Sequence, residues 1–238
     1  MATNVIEHLQ WDSDFFGYKV ARVIFDENGF WKYDCVVNEI KEKKIRLTYL
    51  FTSPSARALN ARIVRAGGIL VDKKTMFLKK TQKHTRFSNN ISEWQKSKPN
   101  QKLVDLALKA GIFSRFLRDN NFIHNEYERL YTRWLYKSVS GELALKTIIA
   151  NDENEITGFI TLGKNNQRAD IGLVAVDPVF RGKGIGSDLV RYVDNLSLRM
   201  GFDQIGVVTQ FDNKSACKLY TGCGFRIDNL TNVYHFWV

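Results

Sequence analysis

A β-branched run, Val174-Ala175-Val176, ends at Asp177-Pro178, and three residues later comes Arg181-Gly182-Lys183-Gly184-Ile185-Gly186. A helix-forming segment follows, expected over 184–200. A strand that passes through a cationic glycine loop into a helix presents main-chain N–H groups to phosphate. Gly182, Gly184 and Gly186 lack the Cβ atoms that would hold an anion away from the backbone, and the helix aims its positive dipole end at the same place. The segment is read as a pyrophosphate loop. Two common templates do not fit it. The P-loop pattern Gly-x-x-x-x-Gly-Lys-Ser/Thr is absent. A dinucleotide fingerprint counted from Gly182 finds Ser187 where its third glycine belongs.

The rest of the chain alternates helix and strand patterns. The N-terminal part reads as a strand over 18–25, a helix over 33–43 and a strand over 45–52. Ser53 is placed as an N-cap, with Pro54 as the first residue of a helix running to about Ala66. Gly67-Gly68 closes that helix, and one or two strands occupy 69–79. Residues 81–101 are polar and hold Pro99, which sets a boundary between an N-terminal domain, 1–100, and a C-terminal domain, 101–238. Leu103, Leu106, Ala107, Ala110, Phe113, Phe116 and Leu117 recur at helical spacing. Then come a helix over 126–137, strands over 143–150 and 155–162 with a turn at 151–154, and the strand 169–176 that enters the loop. Beyond the loop helix lie a strand at 205–208, a helix at 213–222, and strands near Phe225 and at 234–237. The sequence shows no internal repeat.

The helix at 213–222 belongs to the run Asn213-Lys-Ser-Ala-Cys-Lys-Leu-Tyr220-Thr-Gly-Cys-Gly-Phe225. By spacing alone, Ala216, Leu219, Tyr220 and Cys223 are one apolar face, and Tyr220 is a core aromatic. Taken together, however, this run, the Arg181-x-x-Gly184-x-Gly186 loop and the Val-x-Asp-Pro before it resemble the two signature motifs of the GNAT acyltransferases. The resemblance implies an α/β chain whose C-terminal part has the GNAT fold, with a mixed, centrally splayed sheet, beside a smaller N-terminal α/β domain. It implies acetyl-CoA as donor, its pyrophosphate on the main chain of Arg181, Gly182, Lys183, Gly184, Ile185 and Gly186. Val174, Ala175, Val176 and Asn213 complete the implied coenzyme contacts. Tyr220 becomes the general acid to the departing thiolate, a role open to a phenol of ordinary pKa near 10.

Further stretches extend the likeness. Trp11-Asp-Ser-Asp-Phe-Phe-Gly17, Phe113-Ser-Arg-Phe116, residues 138–142, Val207-Val-Thr-Gln210 and Tyr234-His-Phe-Trp237 are similar to the TDP-fucosamine acetyltransferase subgroup. This covers both ends of the chain and is thin between 26 and 100. It implies an acceptor that is a nucleotide-linked amino sugar, acylated at the 4-amino group of a TDP-4-amino-4,6-dideoxyhexose. Arg115, with Phe113 and Phe116 beside it, is assigned to the diphosphate, and Phe16 to stacking on base or sugar. Each has an ordinary reading, an exposed arginine on an amphipathic helix and a core aromatic. Glu126, Tyr127 and Glu128 supply no compelling general base and read as solvated surface. A protein, peptide or small-amine acceptor, or a non-catalytic acyl-CoA-binding module, are the alternatives. A homodimer through the C-terminal strand suits such a fold but has no signature in the sequence.

Charge is unevenly placed. The chain of 238 residues carries a formal +10, and residues 31–100 hold 16 Lys or Arg against 5 Asp or Glu. A field of that sign favours anionic partners, but aromatics are not interleaved as a single-strand platform requires, so nucleic acid is not expected. No apolar run approaches the roughly 18 residues of a membrane span, and 1–11 lacks the basic and apolar regions of a leader. Cys35, Cys217 and Cys223 are odd in number and, like the four histidines, lack metal-ligand spacing. They read as reduced thiols of a cytoplasmic protein without a metal. Cys217 and Cys223 have no activating His or Asp nearby in sequence and are assigned to packing.

Overall fold

Residues 6–26, 29–153 and 155–238 are described by the computed structural model. Asn154 of the expected turn and the first five residues of the segment examined for a leader lie outside them. The chain divides into two compact units. The first comprises 1–74, 118–121 and 230–238, the second 75–117 and 122–229.

In the first unit, β1 (Glu7–His8), α1 (Gln10–Phe16), β2 (Val20–Ile24), α2 (Gly29–Glu42), β3 (Leu47–Thr52) and α3 (Arg57–Arg65) follow in order. β2 runs parallel to β3. The neighbour on the other side of β3 is the end of the last strand, β10 (Arg226–Trp237), antiparallel with Asn232 opposite Thr52 and Trp237 opposite Leu47. Val23, Tyr33, Val36, Ile40, Leu50, Leu59, Ile63 and Tyr234 share one core. Residues 11–16, left without an expected element, are helical, with Gly17 closing α1 at φ 80°. α3 begins later than the Ser53 cap predicts. Ser53, Pro54 and Ser55 form a turn in which Ala56 N–H donates to Ser53 C=O, and Asn60 reaches back to the same carbonyl. The N-cap is Ala56.

The second unit takes the end of β4 (Ile69–Lys80), then β5 (Asn90–Glu93), α4 (Gln101–Ala110), α5 (Arg115–Arg118), α6 (Glu126–Val139), β6 (Lys146–Asp152), β7 (Glu155–Asn165) and β8 (Arg168–Val176). α7 (Ile185–Arg199), β9 (Gln204–Gln210), α8 (Lys214–Gly222) and the start of β10 complete it. Its strands lie in the order β4-β9-β8-β7-β6-β5. β7 and β8 are antiparallel while β8 and β9 are parallel, so the sheet is mixed. One face packs on α7 and α8 through Ile148, Ile160, Ile171, Leu189, Val193, Val207 and Tyr220. The other packs on α4 and α6 through Leu103, Leu106, Leu135, Phe159 and Ala175. Asn100 caps α4 by accepting from Leu103 N–H, as its residue type favours. No helix among the described residues is long and apolar enough to cross a membrane.

The polar stretch at 81–101 behaves differently from a linker. The first boundary between the units falls within β4 instead, and the others at 117/118, 121/122 and 229/230, while residues 82–89 are fastened to α7 by its polar side chains. Asp194 accepts from Gln82 N–H and Lys79 Nζ and bonds the His84 ring. Asn195 accepts from His84 N–H and donates to its carbonyl. Asp188 accepts from Ser88 and Asn89. Its polarity reflects backbone groups met by side chains, a demand any buried main chain makes. Asn90–Glu93 then pairs with β6 as an edge strand.

Candidate active site

Two strands separate at the centre of the second unit. β8 pairs with β9 only where Ala169, Ile171 and Asp170 face Ile205, Val207 and Gly206. Beyond Ile171 the two diverge, as the notion of a splayed sheet requires. A bulge in β8 coincides with that point. Its register against β7 shifts between Ile160 and Leu162, and Leu173 N–H donates to Thr161 Oγ1 at 2.8 Å. Gly172 is needed there, since a Cβ would lie 2.7 Å from Thr161 Oγ1. An extra residue in one strand reverses which way later side chains point. Ala169 and Ile171 face the α7 side. Regular alternation would keep Leu173 and Ala175 there, but these face α4, and Val174 and Val176 join Tyr220 instead. The bulge thus lines the opening with Val174 and Val176.

The glycine loop sits at the end of β8. Asp177 caps a single 3-10 turn, Pro178–Phe180, by accepting from Val179 N–H. That hydrogen bond, reinforced by Lys102 and Lys109, holds its carboxyl at about 2. Gly182 and Gly184 adopt φ of 82° and 80° with open space around them. Their service is the left-handed backbone that turns the chain. Gly186 has another task, because a Cβ there would crowd Leu219 at 3.3 Å. It seats α7 against α8. Gly184 is the N-cap of α7 and brings no side chain to cap it, so the first-turn N–H groups of Ile185, Gly186 and Ser187 have no acceptor within the helix. Arg181 donates through Nε to Val176 C=O, and Lys183 Nζ lies 5.0 Å from the Phe180 ring centre. What results is an exposed, donor-rich helix start beside the opening, suited to an anion.

Tyr220, on α8, is buried between Phe77 and Phe225, with ring centroids 5.8 and 5.9 Å away. Burial, then the neighbouring thiols Cys223 and Cys217, raise its hydroxyl above the ordinary value. A phenol so placed stays protonated at neutral pH and is a donor. Asn213 is the N-cap of α8, accepting from Ala216 N–H at 3.1 Å. Burial pushes both thiols up as well, which leaves them protonated. Val174, Val176, Ile185 and Tyr220 therefore meet in one cluster, with Gly186 packed on its edge.

Of the acceptor-side candidates, Arg115 belongs to the second unit and Phe16 to the first. Arg115 opens α5, its guanidinium carbon 4.8 Å from the Phe116 ring centre. Phe16, in the first unit, is half-buried between Phe15 and Tyr18. Glu126 and Tyr127 correct the reading as solvated surface. Glu126 is buried and accepts from His124 N–H in the turn that precedes α6. Tyr127 is buried with its hydroxyl donating to Leu108 C=O. Glu128 is exposed.

Sequence reading missed two features. Thr161 and Gly172, which build the bulge, carried one signal, a glycine inside a strand. In the first unit, the buried Asp119 bonds His235 Nδ1 at 2.6 Å and accepts from Trp237 Nε1 and Asn121. Nothing in the spacing of residues so far apart in sequence announces that pairing. Among the described residues no three His, Cys, Asp or Glu side chains gather as a metal site would require.

Residues 110–225 match the model of the acetyltransferase (GNAT) family. The chain is 24% identical over 135 residues to the spore coat polysaccharide biosynthesis protein SpsD of Bacillus subtilis, covering 57% of this chain and 46% of that protein. It is 28% identical over 119 residues to N-alpha-acetyltransferase 30 of Dictyostelium discoideum, covering 48% and 64%. It is 29% identical over 129 residues to the dTDP-fucosamine acetyltransferase of Escherichia coli, covering 53% and 54%. The matched length is thus between 46% and 64% of these relatives. In fold, the chain is similar to a GCN5-related N-acetyltransferase from Sphaerobacter thermophilus, with a TM-score of 0.56 at 14% identity over 92% of this chain and 73% of that one.

Proposed function

We propose that the chain, whose residues 110–225 match the GNAT acetyltransferase family, moves an acetyl group from acetyl-CoA directly to the 4-amino group of a TDP-linked 4-amino-4,6-dideoxyhexose. The observation that carries the donor half is the bulged opening between β8 and β9, flanked by the bare start of α7 and by buried Tyr220. Of the N–H groups of 181–186 expected from the sequence to hold the pyrophosphate, that of Arg181 is taken up by Pro178 C=O. The groups of 182–187 therefore serve, each charge-assisted bond contributing roughly 1.5–3 kcal/mol. Arg181 and Lys183 add positive charge at the rim. The pantetheine arm follows Val174, Ala175 and Val176 where β9 no longer pairs with β8, and main-chain N–H groups there polarise the thioester carbonyl. Tyr220 returns a proton to the thiolate. Asn213, whose oxygen is engaged in capping, acts by fixing the start of the helix that bears Tyr220.

For the acceptor, support comes from similarity to a dTDP-fucosamine acetyltransferase and to a polysaccharide biosynthesis protein, and from an arginine already fixed over an aromatic ring. The amine attacks as the neutral base, and water suffices to accept its proton. Arg115 is assigned to the diphosphate and Phe16 to the base or sugar, as the likeness to the TDP-sugar subgroup implies.

Thiol release from acetyl-CoA tests this with five acceptors: TDP-4-amino-4,6-dideoxygalactose, its glucose epimer, a UDP-linked counterpart, a lysine peptide and spermidine. Rapid release with a TDP sugar alone is expected. Release only with the peptide or with spermidine would discard the sugar acceptor. Coenzyme binding with no turnover on any acceptor would favour the binding-module alternative.

A further inference from the structure

We infer that a second anion site lies on the second unit, in the depression of about 490 Å³ lined by Lys83, His84, Arg86, Arg191 and the Gly222–Gly224 end of α8, and that it takes a phosphate monoester or diphosphate group. The lining carries three permanent cations and no carboxylate. Lys83 and Arg86 are exposed and form no ion pair among the described residues. Arg191 pairs with Asp188 only at 3.5 Å and keeps 42% of its side chain exposed.

The acids that could have neutralised this patch are turned inward. Asp194 has 1% of its side chain exposed and Asp188 4%. Both are occupied with loop backbone, Lys79 and the His84 ring. The backbone that bears Lys83 and Arg86 is therefore fixed before any ligand arrives, which lowers the ordering cost of binding. Two forked guanidiniums and an ammonium around one depression match phosphate oxygens in charge and in hydrogen-bond geometry. The depression also touches the helix of Tyr220, since Gly222 ends α8 and Phe225 packs on Tyr220.

Such a phosphate has two sources, the 3′-phosphate of coenzyme A itself or a separate phosphorylated ligand. The first rests on the acetyl-CoA reading and the second does not. The full chain is saturated with 3′-dephospho-coenzyme A, which fills the glycine loop without supplying a 3′-phosphate, and is titrated calorimetrically with inorganic pyrophosphate. One equivalent is expected to bind, at least tenfold more weakly in Lys83→Gln/Arg86→Gln, whose exposed, unpaired side chains are not needed for folding. No binding, or equal binding by the double variant, overturns the site. Affinities for coenzyme A and its dephospho form then identify the source. Loss of a preference for coenzyme A in the variant assigns the pocket to the 3′-phosphate, and an unchanged ratio alongside weakened pyrophosphate assigns it to a separate ligand. A chain that binds neither coenzyme form would refute the acetyl-CoA reading, while pyrophosphate titration of the free chain would still report on the pocket.

Discussion

At the residue scale, three side chains make separable claims. Tyr220 is packed on Phe77 and Phe225 through its ring, so Tyr220→Phe keeps the packing and removes only the hydroxyl. Turnover is expected to fall roughly 10²-fold, as loss of a general acid does, with coenzyme affinity unchanged. Steady-state kinetics beside a binding isotherm checks this, and unaltered kcat would take Tyr220 out of the mechanism. Thr161 accepts from Leu173 N–H at the bulge. Thr161→Val keeps the shape but strands that donor, so a loss of about 1–3 kcal/mol is expected in urea unfolding. Asp119, in the first unit, is held at about 2: burial acts to raise it, but hydrogen bonds from His235, Asn121 and Trp237 outweigh burial. A carboxyl whose folded pKa lies below its unfolded value of about 3.9 stabilises fully above that value and loses its effect as pH falls toward the folded one. Stability is therefore expected to drop between pH 4 and 2, by about 2 kcal/mol from this group. In Asp119→Asn the protein should be weaker at pH 7 and that acid-range slope shallower. An equal slope would show that other carboxyls carry it.

At the element scale, what the sequence disclosed depended on the range of the interaction. Elements set by local pattern were legible: the strand into the glycine loop, the amphipathic α4, the Asn213-capped α8. Two strands expected near Phe225 and at 234–237 are one continuous β10, because Arg226, Asp228 and Asn229, which broke the pattern, are exposed positions on a paired strand. The loop at 81–89 was misread for the opposite reason. Its polar composition matches a linker, and the partners that fix it, Asp188, Asp194 and Asn195, are about a hundred residues away. Of the candidate site, the glycine loop and Tyr220 could be read from motifs, whereas the bulge that decides which strand residues face them could not. The fastening predicts a definite cost. Asp194→Asn removes the charge that faces Lys79, of whose side chain 6% is exposed. Breaking a buried pair from one side costs about 3–5 kcal/mol, so the midpoint of urea unfolding should fall markedly. A change within about 0.5 kcal/mol, the range of ordinary surface substitutions, would mean the carboxylate is dispensable to the loop.

At the scale of the whole molecule, one succession of elements occurs twice. A strand, helix, strand, helix and strand run as β2-α2-β3-α3-β4 and again as β8-α7-β9-α8-β10. α3 and α8 each have 9 residues, and β4 and β10 each have 12. Ala56 and Asn213 stand as matching N-caps, and Gly67 and Gly224 both turn the chain at positive φ. The residues at matching positions differ, so the sequence shows no repeat. In each unit the first two strands of the succession are parallel. The strand beside β3 in the first unit comes from the end of the chain, and the strand beside β9 in the second comes from β4. The two copies differ where chemistry is proposed. From β8 to α7 the connection is the glycine loop, 177–184, whereas from β2 to α2 it is only 25–28, Phe-Asp-Glu-Asn, without glycine or cation. The residue matching Tyr220 is Ile63, fully buried in the core of the first unit. A connection four residues shorter and carrying two acids offers pyrophosphate neither the left-handed glycines nor the charge it needs. The chain is therefore expected to bind one acetyl-CoA, not two. Calorimetric titration should give a stoichiometry near one per chain, abolished by Gly184→Val. A second equivalent that survives that substitution would mean the first unit holds coenzyme by a route its connection does not suggest.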